Sequence, residues 1–229
     1  MKVEDPEWGR IVAEGALAFG LAPGPEELAR FRRHAALLLE WARAMNLSAV
    51  TDPEEIARRH FVDSLALVPL LPAGAKSLVD LGSGAGFPGI PVKVARPDLT
   101  VTLVDSARKK VSFQMAVIRE LAMTGIEAVE ARAEDLARAG RRFDAAVARA
   151  VAALPLLWRM AEPILAPGGS LVALKGRNAP EEARELAAKD TGLSVEIHPY
   201  TVPGTGVPRH VVRVKRPERT AVEGEGDPF

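Results

Sequence analysis

The sequence predicts an α/β fold in which a mostly parallel sheet of seven strands follows an N-terminal helical extension. From Ser77 onward, short apolar runs alternate with helical stretches, which is the pattern of parallel strands joined by crossover helices. One of these runs leads directly into a glycine-rich turn at residues 78–89. The residues before this region contain helix starts and no strand pattern. These three observations together indicate a doubly wound sheet with an added helical segment.

The composition limits the classes of function. The 229 residues are 48% hydrophobic and 26% charged, so a disordered, collagen-like or coiled-coil chain is not indicated. The sequence has no cysteine, which excludes disulfides and cysteine nucleophiles, and its 4 histidines have no metal-ligand spacing. Net charge is zero, so no overall field attracts a polyanion. The polar N-terminus and the lack of long apolar runs lead us to expect a cytoplasmic monomer without membrane or metal partners.

The helical extension is predicted over residues 1–73. One helix starts at Gly24-Pro25-Glu26-Glu27, where proline is tolerated and two acids lie at the positive end of the helix dipole. We expect it to end near Asn46. A second helix starts at Asp52-Pro53-Glu54-Glu55, with Asp52 as N-cap. On the first helix we expect a solvated basic face, formed by Arg30, Arg32, Arg33 and His34.

Seven strands are predicted within residues 74–217. They lie at 77–81, 100–105, 126–130, 143–148, 170–175, 193–201 and 209–215. Helices are predicted between the earlier strands, at 89–95, 107–123, 154–165 and 180–189. Only the turn-rich residues 203–206 separate the last two strands, so these should pair as an antiparallel hairpin. Residues 218–229 are predicted to be a flexible acidic tail.

The glycine-rich turn is the strongest local signal for a ligand site. Such a turn, between a strand and a helix, lets the backbone approach a ligand and offers unpaired N–H donors. Residues 84–89 satisfy G-x-G-x-x-G, the pattern of nicotinamide dinucleotide sites. Asp80 adds a competing pattern, D-x-G-x-G-x-G, which is associated with S-adenosylmethionine and uses Gly82, Gly84 and Gly86. The acid could orient the loop and meet the methionine ammonium group.

Two further strand ends point to an adenosine ligand. Asp105 ends the second strand, where a carboxylate can accept hydrogen bonds from both ribose hydroxyls. After the third strand, Ala133 and Glu134 could read adenine through a main-chain N–H and an acid, although Glu134 could instead cap a helix. Residues 162–171 form a helix, a Pro-Gly-Gly turn and a strand, which is an arrangement common in methyltransferase folds. These features favour S-adenosylmethionine over NAD.

The residues after the fourth strand restrict the methyl acceptor. Methylation of cytosine C5 usually needs a cysteine, and exocyclic amines commonly use an Asp/Asn-Pro-Pro-aromatic motif where this chain has Ala148-Arg149-Ala150-Val151. Ribose methylation typically needs an acid where Arg149 lies, although Lys175 is well placed for it. Guanine N7 has a free lone pair and no proton, so its methylation needs alignment alone. We expect Arg149 to position the reactants, and its truncation to cost little packing.

The contacts with RNA are predicted from charge and aromatic residues. Alternation in the last strand places Arg209, Arg213 and Lys215 on one face, where they are expected to contact phosphates. Phe61 and Phe87 are the candidates for ring contacts with cofactor or guanine. The pair His60 and Asp63, one helical turn apart, is either a base or a structural hydrogen bond.

Several segments between Asn46 and Lys215 together carry a family resemblance. They are 46–50, 59–65, the DLGSGAGFPGIP loop, 106–110, 148–152 and 174–176. In these segments the chain resembles the bacterial small-subunit ribosomal RNA guanine-N7 methyltransferases, also called glucose-inhibited division protein B. The resemblance implies the Rossmann-like class I fold of S-adenosylmethionine-dependent methyltransferases, with an antiparallel last strand.

The resemblance also implies a substrate and a set of contacts. The substrate would be guanine 527 of 16S ribosomal RNA, free or in the small-subunit particle. Apart from the resemblance, Lys175 after the fifth strand is predicted to join the RNA contacts. The cofactor would contact Gly82, Phe87, Asp105, Ser106, Ala107, Ala133, Glu134 and Arg149. Two alternatives stay open on the residues alone, an NAD-dependent oxidoreductase and a non-catalytic RNA-binding protein.

Overall fold

A computed structural model of the protein describes residues 1–45 and 50–217. The N-terminal helices are α1 (Pro6–Leu17), α2 (Pro25–Met45), α3 (Pro53–Ile56) and α4 (Asp63–Leu65), with a π-helical turn at Ala57–Val62 and a 3-10 turn at Val68–Leu70. Both predicted helix starts are confirmed, and Asp52 caps α3 by accepting a hydrogen bond from the Glu55 N–H at 2.9 Å. The predicted helix end at Asn46 and the predicted tail at 218–229 lie outside the described residues.

Seven strands form one sheet, as predicted. They are β1 (Ser77–Leu81), β2 (Thr100–Asp105), β3 (Ile126–Glu130), β4 (Phe143–Arg149), β5 (Leu165–Lys175), β6 (Ser194–Thr201) and β7 (Pro208–Lys215). Their order is β3-β2-β1-β4-β5-β7-β6. The first five strands run parallel to one another, and β7 runs antiparallel to both β5 and β6. The β6–β7 hairpin is therefore confirmed, with β7 inserted between β5 and β6.

The helices of the sheet region are α5 (Gly89–Ala95), α6 (Arg108–Glu120), α7 (Ala133–Arg138), α8 (Leu154–Ala161) and α9 (Ala179–Lys189). The predicted helix at 154–165 is too long, since α8 gives way to a 3-10 turn at Glu162–Ile164 and β5 begins at Leu165. The Pro-Gly-Gly turn lies inside β5. The pairing with β4 is irregular there, because Phe143 pairs with Leu165 whereas Ala145 pairs with Ser170. A side chain at Gly169 would lie 2.9 Å from the Ala166 carbonyl oxygen, so this fold of the chain requires glycine.

The helical extension shares a hydrophobic core with the sheet. Trp8, Phe31 and Phe61 are fully or almost fully buried and belong to the same cluster as Leu78 of β1 and Ile90 of α5. A second cluster covers the other face of the sheet beneath α7, α8 and α9. The extension thus packs against the sheet along its length, which brings its residues to the end of β4. None of the described helices is both long and apolar enough to cross a membrane.

Candidate cofactor and substrate site

The glycine loop between β1 and α5 is held in shape by buried polar side chains. Asp105 accepts hydrogen bonds from the Gly84 N–H at 3.0 Å and from the Ala107 N–H at 2.9 Å. Gln114 of α6 is fully buried and donates to the Ser83 hydroxyl and to the Gly84 carbonyl, both at 2.8 Å. Sequence reasoning missed Gln114, whose one signal is a polar residue in the apolar stripe of α6.

Two positions of this loop require glycine for different physical reasons. Gly84 has φ +57°, and a Cβ there would meet nothing closer than the Gly82 carbonyl oxygen at 3.9 Å. Gly86 has φ +83°, and a Cβ there would collide with the side chain of Ile90. Backbone geometry requires glycine at both positions, but Gly86 is also fixed by packing. Gly84 alone faces open space.

Asp80 connects β1 to the start of α5. Its Oδ2 accepts a hydrogen bond from the Gly89 N–H at 2.7 Å, while Oδ1 has no hydrogen-bond partner within the described residues. The side chain is fully buried, and this burial raises the pKa of its carboxyl group to about 8. Asp80 therefore holds the end of the loop at the start of α5, and its second oxygen is buried.

A cleft of about 410 Å³ opens where β1, β2 and β3 end. Five of the eleven residues predicted to bind the cofactor line it, namely Gly82, Asp105, Ser106, Ala133 and Glu134. The other six do not line it, and they are Asp80, Gly84, Gly86, Phe87, Ala107 and Arg149. The sequence reading did not identify Lys110, Val151 and Met160, which also line it. Lys110 places its ammonium group 3.2 Å from Asp105. The cleft thus joins the three strand ends at which the sequence predicts an adenosine ligand.

Glu134 is not the cap of α7. That role belongs to the next residue, Asp135, which accepts a hydrogen bond from the Arg132 N–H at 2.9 Å. Glu134 itself is exposed and makes no hydrogen bond or ion pair with any residue in the described ranges. The capping interpretation is therefore wrong, and the carboxylate stays free to face a ligand in the cleft.

An aromatic cluster lies behind the loop, and it corrects two predictions. The rings of Phe61 and Phe87 are 0% and 3% exposed, so neither can stack on a guanine base. His34, expected on a solvated face, is fully buried and stacks on Phe87 with ring centroids 4.6 Å apart. Its Nε2 lies 2.9 Å from the Ala85 carbonyl oxygen, and burial lowers its pKa to about 4. His34 is thus a neutral donor to the glycine loop.

Arg149 ends β4 and reaches into the N-terminal helices. Its Nη1 donates to the Arg59 carbonyl oxygen at 2.8 Å and lies 3.2 Å from Nδ1 of His60. The guanidinium lies 5.2 Å from the centre of the Phe87 ring. Burial, and then the nearby Arg149 charge, lowers the pKa of His60 to about 3, so its Nδ1 can accept the hydrogen bond. The expectation that truncating Arg149 costs little packing is therefore wrong.

Asp63 lies between two arginines from different strands. It is 1% exposed, and its Oδ1 accepts a hydrogen bond from the Tyr200 hydroxyl at 2.6 Å. Its oxygens lie 3.9 Å from Nη1 of Arg149 and 3.8 Å from Nε of Arg209. Burial and the Asp63 charge together raise the pKa of Tyr200, which therefore keeps its proton. With these partners, His60 and Asp63 fit a structural role better than the role of an exposed catalytic base.

The predicted RNA contacts have different surroundings. Lys175 is 10% exposed, and its ammonium group contacts the Ala152 carbonyl oxygen at 2.7 Å and Glu182 at 2.6 Å. Arg213 pairs with Glu196 of β6 at 2.6 Å, and Lys215 is half-buried. The basic face predicted on β7 is therefore partly neutralised and partly buried. Arg209, at the start of β7, keeps 35% of its side chain exposed.

A second cleft, of about 390 Å³, adjoins the first at Ala150. Its lining is mostly polar and basic, and comprises Arg149, Ala150, Leu174, Lys175, Gly176, Arg177, Asn178, Glu182 and Arg209. Sequence reasoning missed Arg177, although its place two residues after the end of β5 is a signal for a site residue. Among the described residues, no group of three histidine or acidic side chains is arranged to hold a metal ion.

The chain is similar to known proteins of one family. It matches the family model described as GidB, rRNA small subunit methyltransferase G, over residues 27–212. It is 41% identical over 211 residues to the ribosomal RNA small subunit methyltransferase G of Geobacter sp. (strain M21), covering 90% of this chain and 96% of the relative. The corresponding protein of Desulfitobacterium hafniense (strain Y51) is 46% identical over 175 residues, covering 75% and 72%.

Solved structures support the fold. A precorrin-6y C5,15-methyltransferase from Geobacter metallireducens GS-15 superposes with a TM-score of 0.55 at 15% identity, covering 68% of this chain and 88% of that one. A ribosomal protein L11 methylase from Lactobacillus delbrueckii subsp. bulgaricus gives 0.54 at 15% identity, covering 69% and 78%. At such identity the likeness concerns the fold alone, and it confirms the predicted class I methyltransferase architecture.

Proposed function

The chain belongs to the rRNA small subunit methyltransferase G family, and on that premise we propose that it transfers the methyl group of S-adenosylmethionine to N7 of guanine 527 in 16S ribosomal RNA. The observation that carries the choice of acceptor is the donor-rich, base-free cleft at the end of β4. Two parts of the site support this proposal, namely the cofactor cleft and the cleft that adjoins it.

The residues of the first cleft fit S-adenosylmethionine. Asp105 would face the ribose, although its carboxylate already accepts hydrogen bonds from the loop. Glu134 and the backbone of Ala133, at the start of α7, would read the adenine ring. Asp80 is buried and does not line this cleft, and its unpartnered Oδ1 would receive the ammonium group. Gly82 and Ser106 line the same wall. When bound, the cofactor supplies a methyl group on a positively charged sulfur.

The second cleft favours guanine over other bases. Its arginines carry only hydrogen-bond donors, and they are Arg149, Arg177 and Arg209. The major-groove edge of guanine presents two acceptors, O6 and N7, whereas adenine and cytosine present amino donors there. An arginine that donates to O6 would hold N7 toward the methyl group. Because the reaction moves a positive charge from sulfur to the base, it creates no new net charge in the cleft.

Methylation of N7 needs no general base, and the described residues that line the second cleft include no unpaired acid that could act as one. Glu182 is the one acid in the lining, and it is paired with Lys175 and also accepts a hydrogen bond from the Leu154 N–H. Methylation of an amine or a hydroxyl would require a group that removes a proton, whereas N7 has no proton to lose. The contribution of the protein is alignment, which can supply about 7–11 kcal/mol.

A transfer assay tests the proposal. Small-subunit RNA and small-subunit particles are incubated with methyl-labelled S-adenosylmethionine, and the RNA is digested to nucleosides. We expect the label in 7-methylguanosine, and a rate at saturating cofactor that does not rise steeply with alkaline pH. Label on another nucleoside would refute the acceptor. Calorimetric binding of NAD without binding of S-adenosylmethionine would instead support the oxidoreductase alternative.

A further inference from the structure

A third cavity, of about 570 Å³, lies beside the second cleft. We call it the arginine groove, and it is lined by Arg59, Gly176, Arg177, Val202, Thr205, Val207, Pro208 and Arg209. It shares Gly176, Arg177 and Arg209 with the second cleft, which reaches Arg149. A strand whose guanine enters the second cleft therefore has the groove beside it. Its volume lies within the range of about 300–1,000 Å³ usual for ligand pockets.

The groove contains positive charge that the protein does not neutralise. Arg177 is exposed and makes no hydrogen bond or ion pair within residues 1–45 and 50–217. The nearest carboxylate to Arg209 is Asp63, 3.8 Å from its Nε. Arg59 pairs with Glu55 at 3.0 Å, but both side chains are nearly half exposed, and such surface pairs are weak. Arginine forks of this kind bind phosphate oxygens in a bidentate manner.

One wall of the groove is fixed before any ligand binds. The turn between β6 and β7 is held against the π-helical turn by Arg58, whose Nη1 donates to the Pro203 carbonyl oxygen at 2.7 Å. Glu54 holds the same guanidinium at 2.9 Å. Within the turn, the Thr205 hydroxyl donates to the Val202 carbonyl oxygen at 2.9 Å, and Val202 is buried. Binding therefore need not order this segment, which lowers the entropic cost.

The groove also offers apolar surface next to its charges. Val207 is 45% exposed, and Pro208 beside it is exposed as well. We propose that the arginine groove binds a nucleotide adjacent to the target guanine, with its phosphate on Arg177 and Arg209 and its ribose or base on Val207 and Pro208. The inference rests on the proposed function, because it takes the occupant to be the RNA strand that carries the guanine.

The test compares Arg177→Gln with a matched control, Arg119→Gln, in the full-length protein. Arg119 is an exposed arginine in the last turn of α6, away from the groove. For each protein, KM for small-subunit RNA is measured over a series of salt concentrations, together with the turnover at saturating RNA and the affinity for S-adenosylmethionine. Arg177→Lys is a third variant, which keeps the charge without the fork.

We expect Arg177→Gln to raise KM for RNA about tenfold, as the loss of one charge-assisted contact predicts. It should also reduce the slope of log affinity against log salt by about 0.7, the single-strand value for one phosphate. The affinity of Arg177→Gln for S-adenosylmethionine should stay unchanged, and so should every parameter of the Arg119→Gln variant. Arg177→Lys should keep the wild-type salt slope.

Three results would overturn the inference. They are a wild-type KM and slope for Arg177→Gln, an equal change in Arg119→Gln, and a change of oligomeric state in Arg177→Gln, which would make the groove a contact between copies. Failure of the proposed function has a different signature, since the wild-type protein would then transfer no label to RNA. In that case the equilibrium binding of the same RNA, measured over the salt series, still reports on the groove.

Discussion

Replacing Arg149 with alanine should destabilise the protein as well as stop methyl transfer. The variant loses the hydrogen bonds to the Arg59 carbonyl oxygen and to His60 and the contact with the Phe87 ring. Hydrogen bonds from a charged donor contribute about 1.5–3 kcal/mol, and a partly buried cation–π contact about 0.5–2 kcal/mol. Because these contacts share one guanidinium, their energies do not add in full, and with the loss of one of the two cations beside Asp63 we expect a total loss of about 2–5 kcal/mol in the free energy of unfolding.

Chemical denaturation with an unchanged m-value measures this loss. Arg149→Lys keeps the positive charge near Asp63 and should lose less, while Arg119→Ala should stay within about 0.5 kcal/mol of the wild type as a surface control. A loss below 1 kcal/mol for Arg149→Ala would contradict this expectation, because the contacts at the end of β4 would then contribute little to stability. Transfer should be assayed where both variants are folded.

Three further predictions test separate parts of the site. Gly84→Ala should cost about 1–2 kcal/mol of stability, from its backbone conformation alone, whereas Gly86→Ala should cost clearly more because its Cβ also meets Ile90; thermal unfolding of both compares them. His34 has a pKa of about 4 against 6.5 in the unfolded chain, so the unfolded state binds more protons between these values. The free energy of unfolding should therefore fall as the pH drops through this window. The fall should be up to about 1.4 kcal/mol per pH unit larger than in His34→Gln, and urea titrations at several pH values measure it. Asp80 is protonated below pH 8 in the free protein, so binding a cofactor ammonium should release a proton at pH 7. Calorimetry in buffers of different ionisation enthalpy detects this release, which Asp80→Asn should abolish.

The sheet could be predicted from the sequence because buried parallel strands are continuous apolar runs. The acids at the ends of β1 and β2 were predictable for the same reason, since a polar residue that ends such a run lies at the ligand edge. The side chains that depend on tertiary packing were not. His34 shares a helix segment with three arginines, and only the packing of α2 on the glycine loop shows that it is buried.

Topology and local register limited the rest of the prediction. The sequence predicts the β6–β7 hairpin, but it shows neither that β7 inserts between β5 and β6 nor the hairpin register that places Arg213 opposite Glu196. A shift of one residue decides whether Glu134 or Asp135 caps α7. The π-helical turn at Ala57–Val62 has no sequence signature, yet it carries the carbonyl group of Arg59 to which Arg149 donates.

The most direct test of the central claim maps the methylated atom on the RNA. Methylation at N7 leaves a fixed positive charge on the ring, which makes the strand cleavable at that base after borohydride and aniline treatment. Small-subunit RNA treated with the wild-type protein and S-adenosylmethionine should be cleaved at one guanine, position 527, and RNA treated with Arg149→Ala should stay intact there. Stable incorporation of label without cleavage at a guanine, or label on an adenine, a cytosine or a ribose, would contradict the account.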